Sequence, residues 1–146
     1  MAPNLQVLSL RRLKLTDESF YEIAKGLEVL ESLDISDCPF IGKNSVLMFL
    51  EKCGESLRSL QASSCYDAID DEVVTQLANP GPVDDEMKPD PAGKVPSRQL
   101  EFLDISYCKQ VTDEGLKAFD GKKFNITHLC LNGLSLVSGQ GLYYPI

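Results

Sequence analysis

The sequence predicts an α/β fold: a right-handed solenoid of stacked strand–helix units, with parallel strands on the concave side and helices on the convex side. Three observations predict it. One apolar pattern occurs five times along the chain. Inside each copy the apolar period changes from two to about 3.6, the mark of a strand followed by a helix. The copies also recur at nearly constant intervals: 25 residues from Leu5 to Leu30, 27 from Leu30 to Leu57 and 26 from Leu100 to Ile126. A period of this kind marks units that cannot bury their apolar faces alone and stack into one continuous core.

The first copy is Leu5-x-x-Leu8-x-Leu10-x-x-Leu13. The second and fourth, Leu30-x-x-Leu33-x-Ile35-x-x-Cys38 and Leu100-x-x-Leu103-x-Ile105-x-x-Cys108, both spell L-x-x-L-D-I-S-x-C. The third is looser, Leu57-x-x-Leu60-x-Ala62-x-x-Cys65, and the last is Ile126-x-x-Leu129-x-Leu131-x-x-Leu134. Alternation within each copy predicts strands at Gln6–Leu10, Ser32–Ile35, Ser59–Ala62, Phe102–Ile105 and His128–Leu131, each apolar on one face and polar on the other. An apolar anchor follows: Leu15, Ile41, Ile69, Val111 or Val137. Helical spacing then adds Phe20, Val46, Val74, Leu116 and Leu142, and after them Ile23, Phe49, Leu77 and Phe119. Thr16 and Thr112 sit where helix N-caps belong, since their oxygens can accept from free amides of the first turn.

Cys38, Cys65 and Cys108 share one repeat position, so they are expected as a buried column of small apolar groups. Stacked neighbours could not all pair, and reduced thiols favour a cytoplasmic or nuclear setting.

This pattern is the leucine-rich-repeat signature, with cysteine at the position that takes Asn or Cys. Cys108-x-x-Val111-Thr112-Asp113-x-Gly115-Leu116 resembles the cysteine-containing subclass, and Cys38-x-x-Ile41 and Cys65-x-x-x-Ile69-Asp70-Asp71 are weaker copies. The chain is similar to the repeat region of F-box proteins that recruit substrates to cullin-based ubiquitin ligases. In that family the F-box binds a Skp-type adaptor and the repeat arc holds the substrate. The resemblance implies a non-enzymatic protein-interaction module for substrate recognition in protein ubiquitination and proteasomal degradation. Its partners would be a protein substrate on the concave face, with the Skp-type adaptor and cullin reached through regions outside this chain. A scaffold or assembly factor without a ligase connection fits the same residues.

The 146 residues amount to one domain of about five repeats, 1–146. Neither end shows a polar cap, so the chain reads as an excerpt of a longer solenoid or as a protein whose ends something else covers. From Leu57 to Leu100 the interval is 43, so one unit carries an insert. Residues 79–98 hold five of the eight prolines and no surviving period. Proline supplies no backbone donor, and the segment is expected to be a disordered polar loop.

Composition narrows the function classes. A net charge of −8 opposes an electrostatic grip on nucleic acid. No run of 18 apolar residues occurs, so no membrane span is expected. The first residues lack the basic and apolar regions of a signal peptide. One histidine excludes multi-histidine metal sites, and there is no Cys-x-x-Cys pair. Gly139-Gln140-Gly141 lacks the setting of a dinucleotide loop. No cofactor is expected. Asn125-Ile126-Thr127 matches a glycosylation sequon, but Ile126 is a core position.

The polar strand faces define the candidate site. Their columns run Val7, Ser32, Ser59, Phe102, His128, then Ser9, Asp34, Gln61, Asp104, Cys130, then Arg11, Ser36, Ser63, Ser106, Asn132, with Arg12, Asp37, Ser64, Tyr107 and Gly133 just beyond. Cys130, His128 and Asp104 are the residue types of a thiol nucleophile with its base and orienter. An open sheet offers them no lid or oxyanion pocket, however, and the face reads as a binding surface. The candidate contact residues are Asp34, Asp37, Phe102, Asp104, Tyr107, His128 and Asn132, with an exposed Phe102 as the aromatic anchor.

Overall fold

A computed structural model of the protein describes residues 2–78, 100–120 and 126–143. The expectation for residues 79–98, and Asn125 of the sequon, lie outside the described residues. The elements alternate along the chain: β1 (Val7–Ser9), α1 (Asp17–Lys25), β2 (Ser32–Asp34), α2 (Lys43–Cys53), β3 (Ser59–Gln61), α3 (Asp71–Ala78), β4 (Phe102–Asp104), α4 (Asp113–Lys117), β5 (His128–Cys130) and a closing 3₁₀ turn, Gly141–Tyr143. All five strands are parallel and lie in sequence order in one sheet. The register is the one the repeat requires, pairing Leu8 with Leu33, Leu33 with Leu60, Leu60 with Leu103 and Leu103 with Leu129.

The strands are shorter than the alternation suggests, three residues each. The reason lies just beyond them. Arg12, Asp37, Ser64, Tyr107 and Gly133 all have φ between 59° and 65° and turn the chain toward its helix. The ladder still runs one step past each strand, with the amides of Leu10, Ile35 and Ala62 donating to the carbonyls of Asp34, Gln61 and Asp104 at 2.7–2.8 Å.

The inward residues form one core. Leu33, Ile35, Leu60, Ala62, Leu103 and Ile105 from the strand segments meet Phe20, Phe49, Leu77 and Phe119 from the helical segments, all at 0–1% exposure. The expected cysteine column is present, and its thiols are free. Each Sγ donates to a carbonyl of the preceding unit: Cys38 to Leu10 at 3.0 Å, Cys65 to Ile35 at 3.0 Å and Cys108 to Ala62 at 3.1 Å. Burial pushes the Cys65 thiol up to about 12 and that of Cys108 up to about 11, so both stay protonated donors at neutral pH. In the three inner units the position holds a small side chain that offers a proton to the preceding unit; the first and last units have Leu13 and Leu134 there instead.

The helix starts join the units a second time. Thr16 and Thr112 cap their own helices as expected, accepting from the amides of Ser19 at 3.2 Å and Glu114 at 3.1 Å. The first helical residue then reaches across to the next unit. Asp17 accepts from the amide of Gly42 at 2.8 Å and the hydroxyl of Ser45 at 2.5 Å. Asp71 accepts from the Thr112 amide at 2.7 Å and its hydroxyl at 2.6 Å, and Asp113 from those of Ser138 at 2.8 and 2.6 Å. This explains the T-D-E-G run. A Cβ on Gly115 would overlap the Asp71 carboxylate.

Candidate functional site

Between the inward leucines, the outward residues line up across the sheet as the register dictates. Ser32, Ser59, Phe102 and His128 form one row, and Asp34, Gln61, Asp104 and Cys130 the next. Phe102 and His128 stack, with ring centroids 5.8 Å apart and planes inclined by 24°. His128 Nδ1 lies 2.9 Å from Thr127 Oγ1, which fixes the ring from the other side. Phe102 is therefore half-buried, where the sequence pointed to an exposed anchor; its neighbour in the next unit covers part of it.

The carboxylates on this face also hold the turns. Asp34 and Asp104 each accept from the amide two residues on, Ser36 and Ser106, at 2.9 Å. Ser36 and Ser106 do not present themselves at the surface as their column suggests. They are 2% and 3% exposed. The Ser36 hydroxyl accepts from the Ser63 amide at 3.3 Å, and that of Ser106 accepts from the amide and side chain of Asn132 at 3.2 and 3.3 Å. Asp37 is half-buried and pairs with Arg11 at 3.5 Å and Arg12 at 3.7 Å. Tyr107 is exposed, and its ring lies against Gly133, where a Cβ would overlap it.

The structure brings Phe102 and His128 together and sets Asp104 beside Cys130 in register, and the hydrogen bonds of Asp104 and His128 go to other residues. The Asp104 carboxylate serves the Ser106 amide and the His128 ring serves Phe102 and Thr127. Among the described residues no group of three His, Cys, Asp or Glu side chains could hold a metal ion. No described helix is long and apolar enough to cross a membrane.

Two residues escaped the sequence reading. Phe40 and Tyr66 lie exposed in the turns that lead from β2 to α2 and from β3 to α3. Their signal was an aromatic one or two places after the cysteine, where the fourth unit has Lys109 and Gln110.

Residues 97–119, which contain β4 and α4, match the family model described as Leucine Rich repeat. No curated protein matches the chain. That stretch is a leucine-rich repeat, and the other four units share its register with β4 and its neighbours in one parallel sheet. The class so defined is an α/β repeat protein. Repeats of this class build extended surfaces that hold other proteins.

Proposed function

We propose that the outward face of the five-stranded sheet, the concave side of a solenoid arc, binds a partner protein. The observation that carries this reading is the Phe102–His128 stack standing among small serines, with Asp34, Asp37 and Asp104 beside it. A rigid aromatic in a polar surround is the usual make-up of an interface hot spot. We further propose that the module is the substrate-recognition part of an F-box-type ubiquitin-ligase adaptor. The L-D-I-S-x-C and V-T-D-E-G-L runs support this finer assignment, because they are similar to the repeats of that family.

The test is recovery of the tagged protein from its own cells, with its companions identified by mass spectrometry. A Skp-type adaptor and a cullin are expected among them. Their absence would remove the ligase assignment and leave a binding scaffold. Against a substrate found this way, Phe102→Ala should weaken affinity by about tenfold or more without loss of folding, as truncation of a central aromatic does. Leu103→Ala, fully buried one residue away, should instead cost about 2–5 kcal/mol of stability.

A further inference from the structure

The largest exposed aromatics do not lie where the strands are. Three exposed aromatics sit in strand-to-helix turns: Phe40 at 58%, Tyr66 at 44% and Tyr107 at 50%. They occupy three consecutive turns along one edge of the sheet, and Leu13 and Leu136 continue the row in the first and last units. Exposed apolar groups recurring in successive turns of one edge are the make-up of a contact surface. Tyr107 sits at φ 62°, the turn conformation shared by Arg12, Asp37, Ser64 and Gly133 in the other units.

The charges say what this edge would take. Lys109 Nζ stands 5.2 Å above the Tyr66 ring, so a Tyr face here already receives an ammonium group. Asp67 follows Tyr66, and Asp104 lies three residues before Tyr107. Neither carboxylate makes an ion pair among the described residues; Asp67 accepts from the side chain of Gln110 at 3.3 Å, and Asp104 from the Ser106 amide. Asp37, three residues before Phe40, is already paired with Arg11 and Arg12. Exposed aromatic rings beside Asp67 and Asp104, which make no ion pair among the described residues, suit cationic side chains.

We propose that the turn edge formed by Phe40, Tyr66 and Tyr107 docks a lysine- or arginine-bearing segment of a partner protein. Its cations lie over the rings and pair with Asp67 and Asp104. This inference rests on the reading that the sheet side of the molecule binds protein, and it names the part of that side that selects the partner.

The experiment is selection of a displayed random peptide library on the whole chain, followed by affinity measurement of the enriched peptides. Enrichment of Lys and Arg is expected, with affinity that falls as salt is raised. Binding should drop tenfold or more in a Phe40→Ser/Tyr66→Ser double variant and in Tyr107→Gly. The last variant also separates contact from packing. Glycine suits that φ, so Tyr107→Gly should keep the thermal midpoint of the wild type while losing the peptide. Enrichment of acidic or uncharged peptides, retention of binding in these variants, a collapse of stability in Tyr107→Gly, or a library that yields no binder would each overturn the proposal. Peptides lost only with Phe102→Ala would overturn it and leave the sheet-face reading standing.

Discussion

Four junctions join the five units through their helix starts, and one of them is built the opposite way round. From α1 to α2, from α3 to α4 and from α4 to the last turn, an aspartate carboxylate accepts from the start of the next unit: Asp17 from Gly42, Asp71 from Thr112, Asp113 from Ser138. From α2 to α3 the donor and acceptor are exchanged. Lys43 reaches forward to Asp70 at 3.0 Å and Glu72 at 2.8 Å. The residue two places further into each helix follows suit. Gly115 clears space for the Asp71 carboxylate, whereas the Lys43 junction is followed by the buried Val73. The comparison teaches that a junction requires a matched donor and acceptor, and that either unit can supply either one.

The two kinds of junction differ in strength. An aspartate that satisfies a backbone amide at a helix start does work that water could do only at a cost, about 1–2 kcal/mol in a cap. The lysine pairs with carboxylates at a partly exposed site, where ion pairs contribute little and salt screens them.

The largest expected effect comes from forcing one junction's packing onto the other. Gly115→Val should destabilise the protein by about 1–3 kcal/mol, as overpacking does, since the added side chain would overlap Asp71. Asp71→Ala should relieve part of that loss in a double variant, measured by denaturant unfolding. If Gly115→Val melts like the wild type, the glycine does not serve the carboxylate. Next in size is Asp71→Ala alone, at about 1–2 kcal/mol, because it strands the Thr112 amide. Lys43→Ala should cost less, and its cost should shrink further at high salt. Equal losses in the two variants would erase the distinction between junctions.

The smallest effect is a difference in pH response. Ser138 holds the Asp113 carboxyl below its ordinary 3.8. Burial pushes Asp70 up, but the Val73 amide and Lys43 outweigh it and leave it lowered from 3.8 as well. A lowered acid stabilises the fold above its unfolded value and loses that contribution as pH falls below it. Glu72 and then Asp70 raise Lys43 above its ordinary 10.5. That contribution is fully present below 10.5 and fades as pH rises beyond it. Asp113→Asn should therefore flatten the acid limb of the stability profile below about pH 4, and Lys43→Met the alkaline limb above about pH 10. The reverse assignment of limbs would show that the stated partners do not set these shifts.

Much of the fold was legible because its signal is a period. The leucine register, the buried thiols and the Thr16 and Thr112 caps all follow from where residues fall in the repeat. What the period hides is what happens between units. Ser36 and Ser106 continue the outward alternation on paper, but the turn that begins there draws them inward to serve the next unit. Phe102 is covered by the His128 ring of the following unit; the column order sets the two side by side, but not the stacking that covers Phe102. Phe40 and Tyr66 sit in turns, where apolar periodicity places no demand on residue type. The exchanged polarity at Lys43 becomes visible only once Lys43 and Asp70 are seen to meet.

The central claim is that units dock through complementary first-turn contacts whose polarity is free to reverse. The most direct test rebuilds the α3–α4 junction in the image of the α2–α3 junction. Thr112→Asp alone sets a second carboxylate against Asp71, and Asp71→Lys alone strips the Thr112 amide of its acceptor. Together they reproduce the lysine–aspartate arrangement, with Glu114 standing where Glu72 stands beside Lys43. A double-mutant cycle by chemical denaturation should give a favourable coupling of roughly 1–3 kcal/mol. Losses that simply add would mean that the contact itself does not hold the units together.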